Sequence, residues 1–164
     1  MLRGLELLYD DKGWRVALAK NVLFTGIADG PPAEGLAAIA RGQRRLLSRD
    51  GPVAGFTVIV GVRVGLLSLG EGARAEIGRM MSVPNLKGHS VIAIESPGFA
   101  GVTVRSLLSA IILLSRPESP QKVVDSKADG ARYLAHPANI GWSAPELVSM
   151  AHELTNGLEA SRAS

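Results

Sequence analysis

Val53-Ala54-Gly55-Phe56-Thr57-Val58-Ile59-Val60 is an almost unbroken apolar and β-branched run, opened by the turn residues Asp50-Gly51-Pro52. It lacks the polar alternation of a strand with one wet face. The run therefore predicts a central strand covered on both sides, as in a parallel or mixed sheet. Val62 and Val64 can prolong it. Upstream, Asp29-Gly30-Pro31-Pro32 is a cap-and-proline start for a helix with Leu36, Ile39, Gln43, Leu46 and Leu47 on one face and Arg41, Arg44, Arg45 and Arg49 on the other. Further upstream, Leu5 to Tyr9 and Trp14 to Ala19 flank Asp10-Asp11-Lys12-Gly13, a hairpin signature, and Val22 to Ile27 extends or follows the second strand.

Downstream, Ser68 and Glu71 form a capping box ahead of a stripe of Leu69, Ala73, Ile77 and Met80. Ser82 to Lys87 reads as a return loop, and Ser90 to Glu95 as another strand, ended by Pro97-Gly98. Val102 to Leu114 is apolar nearly all round, as a helix sandwiched between layers would be. Val123-Val124 supplies a short last strand, and Ser126-x-x-Asp129 opens a helix to Leu134. Ser143-Ala144-Pro145-Glu146 then opens a final helix with Leu147, Ala151, Leu154 and Leu158 on one side. Strands alternating with helices predict an α/β fold: a mixed, mostly parallel sheet of four to five strands, flanked by helices, with an N-terminal hairpin and an extra C-terminal helix. No linker or repeat divides the chain, so residues 1–141 are expected to form the domain and 142–164 the C-terminal helix and tail.

The 164 residues are 46% hydrophobic but 4% aromatic, so the core is built of Val, Ile, Leu and Ala. The absence of cysteine excludes disulfides, zinc-thiolate sites and thiol nucleophiles, and with the lack of a signal-peptide pattern it points to the cytoplasm. The formal charge of +3 is a mild imbalance with no polybasic tract. The most apolar stretch, Leu107 to Leu114, is about half the length of a membrane span and is bounded by Arg105 and Arg116, which makes it a buried helix.

Reactive groups are scattered. His89, His136 and His152 stand far apart without metal-ligand spacing, and His136 falls beside a helix C-terminus, where a positive charge is favoured. No nucleophile elbow occurs. Gly61-Val62-Arg63-Val64-Gly65 follows a strand but has neither the third glycine of a dinucleotide loop nor the Gly-Lys-Ser/Thr end of a phosphate loop. The arginine face could meet phosphates, but no nucleic-acid motif accompanies it, so a solvated face is the simpler reading. No enzyme activity, cofactor or metal is expected. Ser68 has two readings: a helix cap worth about 1 kcal/mol, or a phosphoacceptor that would place negative charge at a helix N-terminus.

The order of elements, and above all Lys122-Val123-Val124-Asp125-Ser126-Lys127-Ala128-Asp129-Gly130-Ala131-Arg132-Tyr133-Leu134, resembles the STAS or SpoIIAA-like domains of bacterial anti-sigma-factor antagonists over roughly residues 5–136. The resemblance implies a non-catalytic regulatory module that docks a partner protein through the loop and helix after the central strand. On this chain that surface is Val64, Leu66, Leu67, Ser68, Glu71 and Arg74, with Ser68 near the family's phosphorylatable serine. The family's aspartate at the strand end is missing, since Val60-Gly61-Val62-Arg63 holds no carboxylate. Some relatives are similar to lipid carriers, so the alternative is an apolar pocket lined by Ile77, Met80, Leu107 and Ile111. The C-terminal helix is a second candidate surface, for a partner or for a homodimer.

Overall fold

The computed structural model describes residues 4–28, 33–60, 88–95, 105, 120–136 and 138–158. They form a six-stranded sheet in sequential order: β1 (Glu6–Asp10), β2 (Trp14–Ala19), β3 (Val22–Ile27), β4 (Val53–Val60), β5 (Gly88–Glu95) and β6 (Gln121–Val124). The strands from β1 to β3 form an antiparallel meander, and β3 to β6 run parallel. Among the described residues the helices are α1 (Ala33–Leu47), α2 (Lys127–Ala135) and α3 (Ala144–Thr155), which make the fold α/β; the helix expected after Ser68 and nearly all of the one expected over Val102 to Leu114 lie outside the described residues. The sheet exceeds the expected four to five strands because Val22–Ile27 follows β2 as a strand of its own, after a tight turn at Lys20-Asn21 with Lys20 in the left-handed region (φ 49°).

Local chemistry explains the elements. The Asp11 carboxylate accepts from the backbone N–H of Gly13 and Trp14 (2.7 and 2.6 Å) and so closes the β1–β2 hairpin as an Asx turn. Ser126 caps α2 by accepting from Asp129 N–H (3.1 Å). At α3, Ser143 and Glu146 make a reciprocal capping box with Pro145 in the first turn. β4 has a parallel neighbour on each side, Phe24 pairing with Phe56 and Phe56 with Val91.

The alternation of the strands separates two cores. Val16, Leu18, Leu23 and Val53 face α1, meeting Ala38, Ile39 and Leu46. Ala17, Phe24, Phe56 and Val91 face α2 and α3, meeting Ala131, Leu134, Leu147, Ala151 and Leu154. Each fully buried leucine contributes about 1.5–3 kcal/mol of apolar transfer. Two glycines let helices lie close to the sheet. A Cβ on Gly42 of α1 would fall 2.4 Å from a Leu23 methyl, and one on Gly130 of α2 would fall 2.9 Å from the Phe56 ring. The buried stripe of α1 therefore runs through Gly42 and ends at Leu46, leaving Leu47 42% exposed, against the expectation that it joins the apolar face. In α3 the whole expected stripe of Leu147, Ala151 and Leu154, with Leu158 beyond the helix, is buried on this domain's own sheet. The C-terminal helix is thus a core helix.

Candidate functional site

The carboxyl ends of the parallel strands gather polar groups. Register pairs Val60, the last residue of β4, with Glu95, the last of β5. The Glu95 carboxylate takes the Lys127 ammonium at 2.6 Å and the Lys127 backbone N–H at 3.1 Å. It therefore provides the negative charge that the positive end of α2 favours. Both side chains are largely sheltered, with 27% and 17% exposure, so the pair is better protected from water than a surface bridge. Next to it, Arg105 donates to Ile94 O (3.2 Å) and meets the exposed Asp125 carboxylate (3.2 Å). A charged row thus borders the point where the chain leaves β4.

A second feature is an open cleft of about 480 Å³ between β6 and α2, lined by residues 122–125 and by Asp129, Arg132 and Tyr133. The hydroxyl of Tyr133, one of the lining residues, lies 3.0 Å from His89 Nδ1, and the Lys122 ammonium sits 5.1 Å from the Tyr133 ring centroid. Partial burial raises the Tyr133 phenol pKa, so the hydroxyl stays protonated and can donate to His89. Asp129 and Arg132 pair with each other on the exposed side of α2.

The arginine face of α1 is a clamp. Arg45 grips Glu6 through two hydrogen bonds (2.6 and 2.9 Å), Arg41 donates to Leu8 O (3.3 Å), and Arg49 donates to Lys20 O. The Arg45 hydrogen bonds hold the Glu6 carboxyl below its usual pKa. Arg15 of β2, steadied by Asp10 (2.8 Å), donates to the α3-end carbonyls of Leu154 (3.0 Å) and Asn156. Asn21 ties three segments: its amide donates to Pro52 O and Ile140 O (both 2.8 Å), and its carbonyl accepts from Trp142 Nε1 (2.7 Å).

The residues expected to bind a partner, Val64, Leu66, Leu67, Ser68, Glu71 and Arg74, lie outside the described residues, as do the pocket candidates Ile77, Met80, Leu107 and Ile111. The histidines do not meet: His89 is the second residue of β5, His136 caps the C-terminus of α2, and His152 lies in α3. Among the described residues no group of His, Asp or Glu is arranged to hold a metal ion, and no helix is long and apolar enough to cross a membrane. Sequence reading missed the Glu95–Lys127 pair and the β6–α2 cleft. Glu95 there marks only a strand end, and its partner lies 32 positions away.

No family model and no curated protein matches the chain. A solved structure of DspI from Pseudomonas aeruginosa is similar at 12% identity and a TM-score of 0.38, covering 88% of this chain and 80% of that one. A likeness of that size carries no argument about function.

Proposed function

We propose that the chain is a non-catalytic, STAS-like adaptor that binds a partner protein through the segment after β4, at Val64, Leu66, Leu67, Ser68, Glu71 and Arg74. The observation that carries this reading is the position of β4: it lies inside the parallel block, and its carboxyl end, Val60 beside Glu95, opens toward the edge bordered by Lys127, Arg105 and Asp125. In open α/β sheets, binding sites are commonly found outside the carboxyl ends of the parallel strands. The charged row would serve a docking segment that leaves β4 as a polar rim serves an interface core. The resemblance of residues 122–134 to the bacterial regulatory family adds to the reading, and a chain without cysteine suits the cytoplasm.

Affinity capture with Ser68→Asp and Ser68→Ala variants tests it. A stoichiometric protein partner lost with Ser68→Asp and retained with Ser68→Ala supports the docking surface. Unchanged capture by both variants moves the interface elsewhere, and copurifying lipid in place of protein favours a carrier.

A further inference from the structure

We infer that the outer edge of β6 and the adjoining face of α2 form a self-complementary surface on which a second copy of this chain docks across a two-fold axis at Val123. The inference does not depend on the Val64–Arg74 surface.

Ser90 N–H donates to Pro120 O (2.9 Å). In a parallel ladder this alternation turns the backbone groups of Lys122 and Val124 toward β5 and those of Val123 away from it. Among the described residues β6 is the last strand of the sheet, and β5 is the strand it pairs with. Antiparallel pairing of two β6 strands about Val123 sets Val123 against its own copy, Lys122 against Val124 and Asp125 against Gln121, so no like charges meet.

The helix above has the matching symmetry. α2 returns past the turn at Asp125-Ser126 and packs mainly on β5, with Asp129 and Arg132 on the side that borders β6. Val123 lies about 7 Å along the strand from Asp125, and the same distance along a helix is between four and five residues. The midpoint of the contact therefore falls on α2 near Gly130 and Ala131, between Asp129 and Arg132. Both side chains are turned toward the cleft beside β6 and are 42% and 70% exposed. An antiparallel second α2 places Asp129 of each copy against Arg132 of the other. The Asp129–Arg132 pair within one helix is too exposed to resist this exchange. The closed two-fold contact uses the same patch on both copies.

The opposite edge is unsuited to such pairing. β1 carries a register shift between Leu7 and Tyr9, Arg41 sits on its Leu8 carbonyl, and pairing about Leu8 would set Glu6 against Asp10. Bulges and charges of this kind protect an edge from a neighbour.

Sedimentation velocity and light scattering on the full chain test the proposal. Wild type is expected to dimerise. Asp129→Arg alone and Arg132→Glu alone each turn two symmetric attractions into repulsions and should weaken self-association on the order of tenfold. Mixing the two variants in equal amounts should restore the dimer, because a doubly basic helix then faces a doubly acidic one. A loss of folding in either variant cannot produce that rescue. Val123→Pro, which removes an outward N–H, should also abolish the dimer while leaving the circular dichroism unchanged. A monomeric wild type, single variants that dimerise like wild type, or a mixture that stays monomeric would each overturn the proposal.

Discussion

The antiparallel half of the sheet and the parallel half differ in where their charged residues lie. Around β1 to β3, arginines are turned onto the protein's own backbone and acids: Arg41 on Leu8 O, Arg49 on Lys20 O, Arg45 on Glu6, and Arg15 on Leu154 O and Asn156 O. Around β4 to β6, charges collect at the rims, in the Glu95–Lys127 and Arg105–Asp125 pairs and in the Asp129–Arg132 pair of α2. A basic surface is therefore not by itself a binding surface. The arginine-rich helix, expected to present a solvated face, largely seals a hairpin, while the sparser charges of the parallel half lie at its rim.

The sharpest way to break this contrast is to remove the core that both halves share. Leu134→Ala, at a fully buried position between α2 and the sheet, should lower unfolding free energy by about 2–5 kcal/mol in urea titration. A loss below 1 kcal/mol would mean α2 is loosely held and a poor platform for the β6 surface. Asn21→Ala comes next. It leaves Trp142 Nε1, Pro52 O and Ile140 O without their partner and should cost about 1–3 kcal/mol.

Arg15→Met should cost about 1 kcal/mol, the scale of a net hydrogen bond. Its distinguishing sign is faster amide exchange confined to the last turn of α3, because the guanidinium serves the Leu154 and Asn156 carbonyls. Exchange that accelerates equally across β6 would erase the distinction between the halves.

The smallest effect concerns pH. Arg45 depresses the Glu6 pKa in the folded state, so the bond contributes stability that is complete above the unfolded-state pKa and is lost as pH falls through the depressed one. Arg45→Met should slightly flatten the acid limb of a plot of urea midpoint against pH. An unchanged limb would show that this exposed pair does not help to close the hairpin.

Much of the fold is legible because its signals are local. Ser126 with Asp129 and Ser143 with Glu146 announce helix starts, Leu147, Ala151, Leu154 and Leu158 define one buried side, and Asp11 with Gly13 marks the hairpin. The extra strand is harder to read, since Val22–Ile27 continues the apolar run of β2 past a turn with no glycine or proline, made by Lys20 in a left-handed conformation. Leu47 matches the helical period yet faces water, because the close approach at Gly42 sets which side of α1 meets the sheet. The site was less legible than the fold. Glu95 and Lys127, Asn21 and Trp142, and Arg15 and Leu154 meet only after strands far apart in sequence are aligned, and no spacing rule encodes such pairs. The proposed docking residues between Val64 and Arg74 rest on capping and on family resemblance alone.

Amide hydrogen exchange of the chain with and without its captured partner measures most directly whether recognition belongs to the parallel half. Slower exchange across Val64 to Arg74 and at the carboxyl ends of β4 and β5, with β1 and α1 unaffected, is the predicted result. Protection confined to β1 or to the arginine face of α1 would contradict the account.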